Sequence, residues 1–327
     1  MNVTIKGYSE GGNWYKGNLH CHTTDSDGKL TPSEVVELYR SAGYDFLAIS
    51  DHNIFSDYRK QFDDETFIIL PAMEASAALF EDESRKNLRK VHHIHGILGS
   101  EEMQKQAEKE LFSHLQRYPE REYFGNWDGA AVAQRLQVDL KAHGCLTIYN
   151  HPVWSRVREE EFIYTKGLTA LEIYNYGTVN ESATGFDSLR WDVMLRDGVR
   201  IFATASDDNH NREVPDSFGG FIMVKAEKLS HENIIQAILA GNYYSSSGPE
   251  IYDWGMEDGT AYVECSPVSR VNFIAGNAVN AGASVLSDTG KDAIARAEFS
   301  LRGDETYIRA ECVDSHGKTA WSNPIFL

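Results

Sequence analysis

The sequence predicts an α/β barrel followed by a small antiparallel β-domain. Three observations carry that prediction. Up to about residue 247, short apolar runs alternate with helical patterns. Several of the runs are continuously apolar, as strands buried on both faces require. After GNYYSSSGPE (241–250) the alternation stops. Alternating strands and helices imply a parallel sheet with right-handed crossovers. About eight strands before residue 247 suit a closed or nearly closed barrel.

In chain order, the strand candidates are NLHCH (18–22), FLAIS (46–50), FIIL (67–70), HHIHGIL (92–98), CLTIYN (145–150), ALEIYN (170–175), RIFATA (200–205) and GFIMV (220–224). A helix is predicted over 32–42: Thr31 caps it, Pro32 takes its first position, Glu34 completes a capping box and Gly43 stops it. Helical patterns also cover 101–118, 129–142, 186–197 and 230–240. Residues 251–327 hold strand-like runs (AYVEC, RVNFIAG, ARAEFSL, TYIRAEC) between Gly, Asp and Asn turns, with no helical pattern. The boundary is therefore expected between a barrel at 1–247 and an all-β domain at 248–327.

Composition narrows the function. Hydrophobic residues make up 42% and charged residues 24% of the 327, ordinary for a soluble globular protein. No apolar stretch reaches the roughly 20 residues of a membrane span. The first residues, MNVTIKGYSEGGNW, lack the basic and apolar segments of a secretory signal, which predicts a cytoplasmic protein. Cys21, Cys145, Cys265 and Cys312 have no CxxC spacing and read as reduced buried thiols. A formal net charge of −18 argues against binding a nucleic-acid backbone over a wide surface. A small anionic substrate is still compatible, because metal ions can reverse the local field.

Metal-capable side chains recur at strand ends. The first strand ends in His20-Cys21-His22, whose imidazoles share a face by alternation, and Asp27 follows in the turn TTDSDG. Then come Ser50-Asp51-His52, Met73-Glu74, His92-His93-Ile94-His95, Asn150-His151-Pro152 and Asp207-Asp208-Asn209-His210. In barrels the carboxyl ends of the strands open on one face, so these groups are expected to converge. Any one of them alone reads equally well as a hydrogen-bonded structural histidine. The whole set does not, because burying so many imidazoles and carboxylates without compensation is costly. His114 reads as a surface residue in mid-helix, His143 as structural in the turn AHGC, and His316 as a turn residue of the β-domain. Imidazole and carboxylate without sulfur suit Zn, Mn or Fe and a hydrolytic centre.

These residues resemble the PHP family, named for polymerase and histidinol phosphatase. The motifs are HCHTTDSDG (20–28), SDH (50–52), MEAS (73–76), HIHG (93–96), NHP (150–152) and DNH (208–210), and the match covers about 1–247. The C-terminal piece ending GKTAWSNPIFL is similar to the β-domain of a CehA/McbA-like subgroup. The resemblance implies a distorted (β/α)7 barrel with two or three divalent ions. It places His20, His22, Glu74 and Asp208 on one metal and Asp27, His52 and His210 on a second. A third would be held by His93 and His151 and bridged by Glu74. The family often has histidine at the position of Asp27. D-x-H spacing favours Asp208 over Asp207, and H-x-x-G spacing favours His93 over His92 or His95. Asp51 is expected to orient a ligand or hold its turn.

Glu74, Asp208 and His210 are expected to carry catalysis. Clusters of this kind hydrolyse their substrates with water whose pKa the metals lower to about 7. Three divalent ions outweigh the carboxylates of Asp27, Glu74 and Asp208, which favours a phosphate ester of a small metabolite. Arg212 is the preferred phosphate contact, since a guanidinium matches phosphate oxygens bidentately. Tyr149, Trp154 and Arg156 also lie close in sequence to the metal face, and the charged segment 77–90 reads as a lid or as a solvated loop or helix. The competing activities are hydrolysis of a carboxyl ester, amide or carbamate, and a non-catalytic binding module.

Overall fold

The computed structural model describes residues 4–211 and 214–327. Seven strands surround the site: β1 (Asn13–Asn18), β2 (Phe46–Ile49), β3 (Ile68–Phe80), β4 (Leu88–Leu98), β5 (Cys145–Tyr149), β6 (Ala170–Asn175) and β7 (Phe202–Ser206). Their spatial order is β7-β6-β5-β4-β3-β2-β1. Neighbours run parallel except at β4, which is antiparallel to both β3 and β5. This corrects the expectation of an all-parallel sheet. Only residues 81–87 join β3 to β4, too few for the crossover that a parallel partner needs. The segment 77–90 is therefore mostly the tip of a β-hairpin.

At the two outer strands the chain runs on beyond the regular ladders and meets itself. Cys21 and Asn209 form a parallel bridge. The His22 N–H donates to the Asn209 carbonyl at 3.0 Å, and the Asp208 N–H donates to the His20 carbonyl at 3.0 Å. Asn18 spans the same seam: its Nδ2 donates to the His20 carbonyl at 2.8 Å and its Oδ1 accepts from the Asp207 N–H at 3.0 Å. NLHCH was read as one strand, but its ladder with β2 ends at Asn18. From there it bonds to residues 208–209 on one side, while the Cys21 carbonyl accepts from the Ser50 N–H at 2.8 Å on the other.

The longer helices follow their local signals. In α1 (Pro32–Ser41), Thr31 Oγ1 accepts from the Glu34 N–H, and Glu34 accepts from the Thr31 N–H at 2.8 Å. Its Val35, Val36 and Tyr39 are buried. The others are α2 (Gly129–Ala142), α3 (Tyr176–Ser182), α4 (Ser188–Arg196) and α5 (His231–Leu239). The pattern over 101–118 was read as a helix, but only Glu101–Lys105 is helical. His114 is exposed, as expected, but lies in a loop. None of the helices among the described residues is long and apolar enough to cross a membrane.

Two further strands, β8 (Phe221–Ala226) and β9 (Tyr243–Ser246), continue the sheet antiparallel from β1. The C-terminal region follows as β10 (Ile251–Glu257), β11 (Thr260–Val268), β12 (Arg270–Ala275), β13 (Gly282–Leu286), β14 (Ile294–Ser300), β15 (Tyr307–Val313) and β16 (Thr319–Ser322). All its ladders are antiparallel. β16 pairs with β9, and the N-terminal strand Thr4–Lys6 pairs with β10. Tyr307 and Trp321 are buried in one apolar cluster with Tyr174 and with Trp191 of α4.

Candidate metal centre

The antiparallel course of β4 brings its amino end to the rim where the parallel strands end. His93 sits opposite Ser76 and His95 opposite Glu74. The Asn150 N–H, at the end of β5, donates to the His93 carbonyl at 3.0 Å. Two sharp turns aim ligand-type side chains inward: Asp208 has φ 55° and His151 has φ 25°. A histidine held there costs on the order of 1–3 kcal/mol, so its surroundings must fix it. The His151 N–H donates to Glu172 Oε2 at 3.2 Å, and its carbonyl accepts from the Ser155 N–H at 3.1 Å.

Glu74 lies at the middle, fully buried. Its Oε1 is 3.2 Å from His20 Nε2, His93 Nδ1 and His151 Nε2 and accepts from Asn150 Nδ2 at 2.7 Å. Its Oε2 is 3.0 Å from His52 Nδ1 and 3.5 Å from His22 Nε2. Asp208 Oδ1 is 3.0 Å from His20 Nε2 and 3.1 Å from His22 Nε2. Further out, Asp27 Oδ1 is 3.4 Å from His210 Nε2 and 3.7 Å from His52 Nε2.

All nine residues singled out as ligands in the sequence lie in this cluster. Their ligand atoms form four overlapping sets, each within 4.8 Å: His22, Asp27, His52 and His210; His20, His22 and Asp208; His20, Glu74 and His151; and His52, Glu74 and His93. His93 and His151 thus fall in different sets, both sharing Glu74.

The donor atoms suit cations. His22 Nδ1, Glu74 Oε2, His93 Nδ1 and Asp208 Oδ1 are buried without a hydrogen-bond partner. A buried polar atom left unpaired costs about 1–3 kcal/mol, which coordination would offset. The protonation pattern says the same. Burial opposes charge on His20, yet Asp208, Glu74 and Glu172 outweigh it and raise its pKa well above the usual value. Burial also opposes charge on His210, but Asp27 and Asp208 raise it to about 9. Burial would raise Glu74 and Asp208 as well. The surrounding imidazoles, led by His93 for Glu74 and His20 for Asp208, hold both carboxyls well below the usual range. Protons on His20, His52, His151 and His210, where burial is outweighed by carboxylates that raise the pKa, supply positive charge that a cation can replace. Burial lowers His22 and His93 toward the neutral form that ligation needs.

The open alternatives separate by direction. Asp207 points away from the cluster. Its carboxylate accepts from Tyr39 Oη at 2.7 Å and from the N–H groups of Phe218, Gly219 and Gly220 at 2.7–2.8 Å. A Cβ at Gly220 would lie 2.3 Å from the Ser206 carbonyl, so only glycine lets this backbone approach. His92 hydrogen-bonds Tyr149 Oη and stacks on Trp127. His95 is buried with its ring edge-on to His20 at 4.2 Å. Asp51 holds the turn after His22, accepting from the Thr23 N–H at 2.8 Å and from Ser26 Oγ at 2.7 Å.

One participant was not read from the sequence. Glu172 of β6, buried, lies 2.9 Å from His20 Nδ1. The signal is a single carboxylate flanked by apolar residues in the strand ALEIYN, a buried charge that requires partners. Through it every one of the seven strands or its exit reaches the cluster.

A cavity of about 160 Å³ opens over the cluster, walled by Trp154, Thr178, Glu181, Val214 and Asp216. Trp154 Nε1 donates to Glu181 Oε2 at 2.9 Å. Tyr149 is buried on the far side beside His92, and Arg156 is exposed and does not line the cavity. Arg212 lies outside the described residues.

No family model matches the chain, and no curated protein matches it. Among solved structures, it is similar to a two-domain protein of Bacteroides vulgatus containing a predicted PHP-like metal-dependent phosphoesterase, at 11% identity over 97% of both chains with a TM-score of 0.43. A Bifidobacterium adolescentis protein proposed as a metal-dependent phosphoesterase gives 14% identity over 68% of this chain and 95% of that one, TM-score 0.42. Endonuclease Q, bound to duplex DNA with an abasic lesion, gives 12% over 69% and 56%, TM-score 0.39. These likenesses are remote, and the functional reading rests on the side chains themselves.

Proposed function

We propose that this chain is a metal-dependent hydrolase, foremost a phosphoesterase acting on a small phosphorylated metabolite. The observation that carries the reading is the convergence of nine imidazole and carboxylate side chains, with Glu74 at their middle and four of their buried atoms left without a hydrogen-bond partner. In this reading His20, His22, Glu74 and Asp208 hold one ion, and Asp27, His52 and His210 a second. His93 and His151 share Glu74 toward a third. Zn, Mn and Fe suit these donors. We further propose that residues 1–247 form a distorted (β/α)7 barrel of the PHP type and carry the whole site. Residues 248–327 form a β-domain, as in the CehA/McbA-like subgroup, that supplies no ligand.

Divalent ions bound there supply Lewis acidity toward the scissile group and acidify water. The residues do the rest. Glu74 joins the ligand sets and fixes their spacing. Trp154 and Glu181 form the wall against which the remainder of the substrate lies, and Asp208 and His210 frame the mouth. Three divalent ions exceed the charge of Asp27, Glu74 and Asp208 even with Glu172 added. That excess favours a phosphate, whose oxygens can meet several cations at once. One observation favours the second reading, a carboxyl ester, amide or carbamate. Asp27, Glu181 and Asp216 line the cavity, but no Lys or Arg does among the described residues.

The test is metal analysis of protein purified without chelator. It is followed by a parallel screen of phosphomonoesters, phosphodiesters, carboxyl esters, carbamates and an abasic-site duplex with Zn, Mn or Fe. At least one transition metal per chain and turnover of a phosphate ester are expected. Glu74→Gln should abolish turnover and lose more than one ion while the far-UV CD spectrum stays unchanged. Turnover of esters or carbamates with no phosphate ester would reverse the ranking, and full activity of Glu74→Gln would refute the assignment.

A further inference from the structure

Glu172 occupies an unusual position for a buried carboxylate beside a metal-type cluster, because it has no coordination capacity left. Its Oε1 accepts from His20 Nδ1 at 2.9 Å and from Ser206 Oγ. Its Oε2 accepts from Asn175 Nδ2 at 2.9 Å and from the His151 N–H at 3.2 Å. A carboxylate offers about four lone-pair sites, so these donors saturate it. Asn175 is likewise fully engaged. Its Oδ1 caps α3 by accepting from the Thr178 N–H at 2.9 Å, and its Nδ2 also donates to Asp208 Oδ2 at 3.0 Å. Two side chains that do not line the cavity over the cluster thus fasten His20, His151 and Asp208.

We propose that Glu172 and Asn175 are positioning residues of the metal centre: Glu172 fixes His20 as the tautomer with the proton on Nδ1, and Asn175 locks Asp208 to it. The inference rests on reading the cluster as a metal centre. With Nδ1–H committed to Glu172, Nε2 is the nitrogen that faces Asp208 Oδ1 and Glu74 Oε1, both 3.0–3.2 Å away, and the one that would exchange its proton for a cation. With Asp208 Oδ2 held by Asn175, Oδ1 is the oxygen left unpaired in the cluster. Nε2 and Oδ1 are then presented together before any ion arrives. The same Glu172 oxygen that holds Asn175 anchors the strained turn at His151, so the set bound by His20, Glu74 and His151 depends on it as well.

Glu172→Gln tests this with little change of shape. An amide oxygen has two lone pairs for four donors, and its NH₂ group must face either His20 with Ser206 or Asn175 with the His151 N–H. Either way a ligand loses its orientation. Zn²⁺ binding to the full chain is measured by competition with a chromogenic chelator, together with the rise in Tm that Zn²⁺ produces. Loss of such an orienting partner costs about 10–100-fold in metal affinity. Glu172→Gln should weaken the tightest Zn²⁺ by that factor and shrink the rise in Tm. A merely structural role would lower the Tm of the metal-free protein and leave the Zn²⁺-dependent rise intact. Asn175→Asp keeps the cap oxygen but removes the donor to Glu172 and Asp208. It should weaken Zn²⁺ similarly, and it decides the matter if Glu172→Gln does not fold. Wild-type affinity and an undiminished rise in both variants would overturn the positioning role alone. A wild-type chain that binds no Zn²⁺, Mn²⁺ or Fe²⁺ would overturn the metal centre along with it.

Discussion

The left-handed backbone at Asp208, with φ 55°, sends two adjacent carboxylates in opposite directions. Asp208 enters the cluster, while Asp207 gathers Tyr39 Oη and three backbone N–H groups. Burial raises Asp207 to about 6, so at pH 8 it is ionised and its hydrogen bonds are charge-assisted. Asp207→Asn sets an NH₂ group against at least one of those N–H donors and should cost about 1–3 kcal/mol of stability. Its metal content should match wild type. Asp208→Asn should lose metal, because it removes a ligand charge while leaving the hydrogen bonds around Asp207 in place. Urea unfolding with chelator present, paired with metal analysis, separates the two. Equal effects on both quantities in both variants would contradict the division of labour.

At the scale of elements, α5 begins at His231, whose Nε2 lies 3.1 Å from the Leu98 carbonyl at the end of β4. Burial, with Arg59 nearby, lowers its pKa to about 4. The unfolded chain takes up this proton near about 6.5. The neutral form therefore stabilises the fold fully above that value, and the contribution is lost as pH falls toward about 4. His231→Gln should narrow its stability gap to wild type between pH about 7.5 and about 5, as read by urea unfolding at both. A gap that does not move with pH would remove His231 from the account. What was legible in the sequence follows the same logic of local against distant causes. The ends of α1 were readable because capping is chemistry between residues three apart. The 101–118 pattern misled because Met103, Ala107, Leu111 and Leu115 recur at helical spacing, yet the chain leaves the helix after Lys105 and buries Phe112 and Tyr118 from irregular backbone; tertiary packing outweighs propensity. The direction of β4 was not readable from its apolar run, which looks the same either way; the short link to β3 decides it. Most metal-type residues stood out because they follow an apolar run, and His93 because it opens one. Glu172 lay hidden within one.

Across the whole molecule, the C-terminal strands do not stand apart from the strands around the site. β9 is shared: one edge pairs with β8 and the other with β16. Tyr307 Oη donates to Asp192 of α4 at 2.7 Å, and the Arg309 guanidinium stacks 4.5 Å from the ring centre of Trp191. The C-terminal sheet thus presses on α4, behind β6 and β7, the strands that carry Glu172 and lead to Asp208. None of the four ligand sets draws on it. Its mechanical link to the centre is through packing.

The seam between residues 20–22 and 207–209 has a consequence for the order of assembly. Glu74 and His93 meet across a hairpin, whose closure costs little chain entropy. The Asn18–Asp207 contact joins residues 189 apart and is among the last for which entropy is repaid. Glu74 and His93, on β3 and β4, therefore meet early, and His20, His22 and Asp208, along the seam, meet late; a cation that needs both groups favours the closed chain by mass action. In hydrogen exchange, the Asp208 and His22 amides of the metal-free protein should open more readily than those of the β3–β4 ladder. Zn²⁺ should slow the seam amides far more than the hairpin amides. Equal protection of both without metal would mean that the seam closes unaided. Unequal protection would make a bound cation the latch of the seam.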